Sequence, residues 1–295
     1  VSGAGSDDGV APRDGSADGE PPEPSPDQAA AISAWGLAVR RSFSIVGAAL
    51  ARYTRLEFEG PEEIPDAPVL LVVNHGHGGI FDLNGFALAA LQRRFGIDDH
   101  TPATILTHQI AWTVGAGPLL EPAGFRPAGR EVALEALGRG EYVVVMPGGD
   151  LDGAKSWAHR NEVLFGGRTG FASLAMQAGV PIVPLVIVGA GESLFVLSDG
   201  QRIATTLRLD RLLRTQTLPV ALSIPWGLTV GGAGVVLPYV PLPTKLVAAA
   251  GEPMSPEPEE SVEAFAARVH DWMSDTARRL SEGRVPILGW RRRSR

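Results

Sequence analysis

Four short apolar runs constrain the fold more than any other feature of this chain. They are "VLLVV" (69–73), "ATIL" (103–106), "YVVVM" (142–146) and "PIVPLVIV" (181–188). Each is too short for a membrane span and rich in β-branched residues, so each reads as a buried strand. Helical stretches lie between them. One runs from about Leu83 to Arg94, one from Arg130 to Leu137, and one over 167–179, closing at Gly179, the usual C-terminal glycine. Strands that are apolar throughout, alternating with helices, predict an α/β fold with a mostly parallel central sheet flanked by helices. Right-handed crossovers then gather the loops after the strands on one rim, where sites usually form.

The flanking segments are of other kinds. Residues 1–27 are Gly, Pro, Ser, Asp and Glu with almost nothing to bury, and are expected to be a disordered tail. Residues 28–52 read as a helix, with Trp35, Val39, Phe43, Val46 and Leu50 at helical spacing and Ile45 and Ala49 widening the apolar side. It either packs on the domain or also dips into a membrane surface, where Arg40, Arg41 and Arg52 would suit anionic headgroups. Residues 218–243, "LPVALSIPWGLTVGGAGVVLPYVPLP", are apolar and rich in Gly and Pro. They are either strands and turns over the core or a greasy surface for a lipid chain. "KLVAAAGEPM" (245–254) reads as a last strand and turn. Residues 257–282 form an amphipathic helix with Val262, Phe265, Val269, Trp272, Met273 and Leu280 on one side. The end, 289–295, is a basic tail, expected to be solvated, with contact to anionic lipid as the alternative.

Composition narrows the function classes. With 44% apolar residues the chain can build a sizeable core. A net charge of −7 argues against broad electrostatic binding of nucleic acid. With no cysteine, disulfides, thiolate metal sites and cysteine catalysis are excluded. No run of about 18 uncharged apolar residues occurs, so no transmembrane helix is expected. Nothing at the start has the charged and apolar regions of a signal peptide. The expectation is a cytoplasmic location.

The stretch "NHGHGGIFD" (74–82) carries the candidate chemistry. His75 and His77 follow the first strand, at the rim, among glycines that give them no packing neighbours. Three chemistries compete for such a loop. A metallohydrolase of the His-x-His-x-Asp-His kind would need Asp and His where Gly79 and Ile80 stand, and His100, His108, His159 and His270 form no ligand pattern. A serine hydrolase would need a G-x-S-x-G elbow, which the chain lacks. The third is a histidine general base oriented by a carboxylate. Asp82 lies four residues beyond His77 and fits as the N-cap of the helix from Leu83. Its carboxylate is expected to fold back onto the imidazole and stabilise the imidazolium. The attacking nucleophile is then the substrate's own hydroxyl.

His77 to Asp82 resembles the His-x(4)-Asp motif of the glycerolipid acyltransferases. "GPLLEPAGFRPAGREVALEALGRGEYVVVMPGG" (117–149) is similar to that superfamily's second and third blocks. "GRTGFASLAMQAGVPIVPLVIVGAGESLF" (167–195), "PWGLTVGG" (225–232) and "VPLPTKLVAAAGEPM" (240–254) look like the type 2 monoacylglycerol and diacylglycerol acyltransferase branch, as does His75-Gly76-His77-Gly78. The likeness runs over about residues 55–255. It implies a single acyltransferase domain over 28–288 that moves a fatty acyl group from acyl-CoA, or an acyl-carrier protein, to a glycerolipid hydroxyl. It implies no bound cofactor and no metal, the acyl thioester being a co-substrate, and peripheral attachment to the cytoplasmic face of a membrane. His77 is the expected base and Asp82 its orienter, with His75 as the alternative base because Asn74-His75 also resembles the opening of the motif. Gly148 and Gly149 are expected to supply oxyanion donors. Arg126, Arg130, Arg168 and Lys155 are candidates to hold the donor's phosphates; Glu121 and Asp150 are secondary candidates. Where the phosphate-using relatives have Pro-Glu-Gly, this chain has Pro147-Gly148-Gly149, which resembles the branch acting on neutral acceptors such as mono- or diacylglycerol. The alternatives are a lysophospholipid acyltransferase and a non-catalytic lipid-binding protein.

Overall fold

The structure is a computed structural model that describes residues 33–77, 82–113, 115–208, 216–231 and 237–289. The expected N-terminal tail (1–27), the helix start at 28–32, part of the 218–243 segment and all but the first residue of the basic end lie outside the described residues.

The described residues begin with helix α1 (Ala34–Tyr53), whose N-cap Ser33 accepts a hydrogen bond from the Gly36 amide at 3.0 Å. Then come β1 (Glu57–Glu59), β2 (Val69–Val73), α2 (Leu83–Leu91), β3 (Ala103–Thr107) and the short helices α3 (Ile110–Thr113) and α4 (Gly117–Leu120). β4 (Phe125–Pro127), α5 (Arg130–Gly138), β5 (Tyr142–Val145), α6 (Gly149–Gly153), α7 (Gly170–Ala178) and β6 (Ile182–Val188) complete the alternating part. β7 (Phe195–Ser198), α8 (Gln201–Thr206), β8 (Val220–Ser223), β9 (Gly227–Val230), β10 (Val247–Ala250) and α9 (Val262–Ser281) follow.

The central sheet has the order β1-β10-β6-β2-β5-β3-β4. From β6 to β4 the pairs are all parallel; β10 runs antiparallel to β6 and carries β1 beside it. Strands of β2 and β6 are buried at every residue, because both faces are covered. On one face Leu70, Val72, Ile182 and Val186 pack with Phe171 of α7 and Phe265, Val269 and Met273 of α9. On the other, Val69, Leu71, Val73 and Leu185 pack with Leu83, Ala87 and Leu88 of α2. The mostly parallel α/β sheet flanked by helices is therefore the observed architecture. β7, β8 and β9 form a separate antiparallel sheet.

Helix α1 is rotated from its expected setting. Phe43 faces inward and stacks on Phe86 at 5.5 Å, but Trp35, Ile45 and Val46 are exposed. The reason is Gly47: a Cβ there would lie 2.8 Å from the Phe86 carbonyl oxygen, so its absence lets α1 press against α2. Arg40, read as a headgroup cation, turns inward as well. Its guanidinium donates to the carbonyls of Ala123, Thr101 and Ala103 at 2.9, 2.7 and 3.1 Å.

Candidate active site

The parallel strands end on one rim, and the loops after β2, β3, β5 and β6 meet there. Asn74, just past β2, is buried and fixes the first of these loops. Its side chain accepts from the Ile187 amide at 2.8 Å and donates to the Ile187 carbonyl at 3.0 Å, pinning the loop to β6. Asn84 of α2 donates to the Asn74 carbonyl at 2.6 Å. Asp82 caps α2: Oδ1 accepts from the Asn84 amide at 2.9 Å, and the same carboxylate accepts from the Gly76 amide at 3.3 Å. A Cβ on Gly76 would sit 2.4 Å from the Ala190 Cβ and 3.0 Å from Asp82 Oδ1, so only glycine lets the backbone pass between them.

That passage decides which histidine meets the acid. Asp82 Oδ2 lies 2.8 Å from His75 Nδ1. The expected pairing with His77 is corrected: the cap geometry aims the carboxylate back at the loop's first residues, and spacing alone misassigned the partner. His77 is buried instead, its ring edge-on to Tyr239 at 5.9 Å between centroids. The Tyr239 hydroxyl is 3.1 Å from Ser193 Oγ, and burial pushes that phenol above its ordinary value.

A buried ion pair grips the His75 backbone from both sides. Asp152 of α6 accepts from the His75 amide at 2.6 Å. Lys155 donates to the His75 carbonyl at 2.7 Å, to Asp152 Oδ1 at 2.7 Å and to the Glu162 carbonyl at 2.8 Å. Both side chains are essentially inaccessible. Lys155 therefore holds the loop, and the expectation that it binds phosphate is corrected. Asp152 escaped the sequence reading; its signal was the spacing Asp152 to Lys155, which puts opposite charges within reach of each other.

His75, His77 and Asp82 line a cavity of about 410 Å³. Its walls are mainly apolar: Phe86, Leu88, Ile105, Leu120, Phe125 and Val144 among them, with Leu218 and Pro219 from the segment before β8. His108 and Gly149 line it too.

The other expected residues are held by local partners. Gly149 has φ of +51° and its amide donates to the Met146 carbonyl at 3.2 Å, so that donor is engaged in the turn. Gly148 packs where a Cβ would lie 2.2 Å from the Asp152 Cβ. Arg168 binds the Pro147 and Gly148 carbonyls and pairs with Asp150 at 3.0 Å, bracing the Pro-Gly-Gly turn. Asp150 also accepts from the Gln216 amide at 2.5 Å. Arg126 bonds the Glu121 and Phe125 carbonyls, and Glu121 accepts from Trp112 Nε1 at 2.6 Å. Arg130 ties α5 to α7 through Ser173 and Gln177. The structure thus brings His75, His77, Asp82, Gly149 and Asp150 to one cavity, while Arg126, Arg130, Arg168 and Lys155 do not line it. Among the described residues no group of three or more His, Asp or Glu is placed to hold a metal ion.

Comparison with known proteins bears on the family and the fold. Residues 55–188 match the Acyltransferase family model. An uncharacterized protein of Mycobacterium tuberculosis is 29% identical over 248 residues, covering 79% of this chain and 64% of that one. The chicken protein named DGAT1/2-independent enzyme synthesizing storage lipids is 25% identical over 212 residues, 72% of this chain and 56% of that one. The chain thus spans under two thirds of the length of these relatives. The crystal structure of the 1-acyl-sn-glycerophosphate acyltransferase PlsC from Thermotoga maritima matches the fold with a TM-score of 0.51 at 18% identity, covering 83% of this chain and 82% of that one.

Proposed function

Since the chain belongs to the glycerolipid acyltransferase superfamily, we propose that it transfers an acyl group from a thioester to a lipid hydroxyl, with His75 as general base. The observation that carries this reading is the His75–Asp82 pair on the wall of an apolar cavity. With His75 Nδ1 donating to Asp82, Nε2 is the nitrogen that can accept a proton. It takes the acceptor hydroxyl's proton as that oxygen attacks the thioester carbonyl. When the tetrahedral intermediate collapses, the C–S bond breaks and the imidazolium returns the proton to the leaving thiolate. Asp82 stabilises the imidazolium between these steps. The Asp152–Lys155 pair keeps the loop from drifting, which matters because small misplacements of a base cost rate steeply.

The acceptor in this reading is a neutral alcohol of the mono- or diacylglycerol kind. The cavity lining is mainly apolar, Arg40 in it donates to backbone carbonyls, and the four cations considered for phosphate are engaged with carbonyls, hydroxyls or carboxylates. The name of the chicken relative, which speaks of storage lipids, points the same way. The acyl donor is a thioester of coenzyme A or of an acyl-carrier protein, and the work is done at a membrane surface. Among the described residues no helix is long and apolar enough to cross a membrane. The test is incubation with radiolabelled acyl-CoA and acyl-carrier-protein thioesters against neutral and phosphorylated acceptors. Label is expected in neutral glycerolipid. Label confined to a lysophosphatidate product would replace the acceptor, and no transfer to any alcohol would end the reading.

A further inference from the structure

The small sheet β7–β8–β9 is built inside out. An antiparallel sheet beside water buries its apolar face and wets its polar one. Here Thr229 is 7% exposed and Ser223 is buried, while Leu228 is 63% exposed and Leu222 and Val230 about half. The register sets Leu222 directly opposite Leu228, a cross-strand leucine pair on the open face. Ile224 and Trp226, at the hairpin's turn, are exposed too. The inner face has its own small cluster of Leu194, Val196 and Ala221 against Tyr239, so the sheet is not merely misoriented. A contiguous apolar patch of this kind marks an interaction surface.

Three observations select its occupant. Residues 216–244 carry no charged side chain, in a chain of net charge −7. The patch continues through Val240, whose amide bonds the Ile224 carbonyl at 2.8 Å, to Tyr53 of α1, whose hydroxyl bonds the Pro241 carbonyl at 2.9 Å. Exposed Arg52 precedes that tyrosine, and Arg55 two residues on, though it donates to the Pro243 and Ile287 carbonyls, keeps its charge at the exposed surface. Apolar face, aromatic belt and cationic rim, in that order, complement an anionic lipid surface. Finally, Pro219 before β8 and Gly231 after β9 line the cavity that holds His75, so the patch runs directly into the cavity wall.

We propose that the outer face of the β8–β9 hairpin docks on an anionic phospholipid bilayer and passes lipid between it and the cavity beside His75. The docking rests on the acyl-transfer reading only for the identity of the lipid that passes.

The chain has no cysteine, so a single Leu228→Cys variant can carry an environment-sensitive NBD label, with Glu263→Cys on the exposed side of α9 as control. The vesicles are mixed phosphatidylcholine and phosphatidylglycerol. The label at 228 is expected to shift to the blue and be quenched by brominated lipid, the label at 263 to do neither, and binding to weaken as salt rises. Leu222→Asp with Leu228→Asp should melt as the parent does and bind vesicles at least about tenfold more weakly. A label at 228 that stays in water on vesicle-bound protein overturns the proposal. So does a patch buried in a dimer seen by sedimentation and undisturbed by vesicles. Neither readout depends on turnover. An inactive protein whose label inserts supports the docking and removes acyl transfer; an active one whose label stays in water removes the docking alone.

Discussion

The carboxylate of Asp82 lies on Nδ1 of His75, 2.8 Å away, although His77 stands two residues nearer in the chain. His75→Ala is therefore expected to lower acyl transfer by at least about a hundredfold, the usual worth of a general base, with the melting temperature little changed. His77→Ala should act through packing, since that ring is buried against Tyr239. Its main effect should be on stability, read by chemical denaturation. The reverse pattern, with His77→Ala folded and dead and His75→Ala active, would return the role to His77.

Asp82 has two duties that substitution can separate. Asparagine still caps a helix, so Asp82→Asn should keep stability while losing the charge that stabilises the imidazolium. Asp82→Ala should lose both, with about 1 kcal/mol of stability gone with the cap. Activity near the parent's in Asp82→Asn would show that the carboxylate only shapes the loop.

The buried Asp152–Lys155 pair gives a test of positioning against phosphate binding. Lys155→Met leaves the Asp152 carboxylate buried without its partner, which costs about 3–5 kcal/mol in comparable sites. The midpoint of urea unfolding should fall accordingly. The turnover that remains should be lowered chiefly in kcat, because the ammonium group touches the His75 carbonyl. A stable variant with a raised KM for the thioester alone would instead make Lys155 a donor-binding residue.

The sequence made the parallel strands legible because they are buried on both faces and therefore apolar throughout; β2 is observed at the expected residues and β6 one residue inside. It also singled out the loop that carries the candidate site. What escaped it depends on contacts distant in sequence. The orientation of α1 follows from Gly47 meeting α2, while Trp35 and Val46, which share the expected stripe, remain outside. The choice between His75 and His77 follows from Gly76 passing between Ala190 and Asp82, a crowding that no spacing encodes. Residues 218–243 stayed ambiguous because β8 and β9 alternate with their apolar side outward, which makes a surface strand read like a core strand.

Gly76 can be tested through that crowding. Gly76→Ala would set a methyl 2.4 Å from the Ala190 Cβ. Overpacking of this kind costs about 1–3 kcal/mol, and here it pushes the loop off Asp82, so kcat should fall more than KM rises. Ala190→Gly opens the same space, and the double variant should recover part of both losses, an interaction that a double-mutant cycle measures. Additive losses in that cycle would mean the two sites do not meet.

Acid sensitivity should centre on Glu192. Burial alone would raise its carboxyl, but the hydrogen bonds and charge of Arg284, at 2.8 and 2.9 Å, outweigh this and hold it below its ordinary 4.5. Thr244 and the Ile287 amide add to the grip, joining the turn after β6 to the segment after α9. In the unfolded chain the same carboxyl titrates at its ordinary value. Between the two values the unfolded state binds the extra proton, so the pair's contribution is complete above about pH 4.5 and is lost as pH falls through the lower, folded value. Glu192→Gln strands the Arg284 guanidinium, itself almost inaccessible, and should cost about 3–5 kcal/mol at neutral pH. Its stability should then fall less steeply than the parent's on acidification, in urea unfolding followed across pH 3 to 7. Parallel acid limbs for the two proteins would mean that other carboxylates set the acid transition.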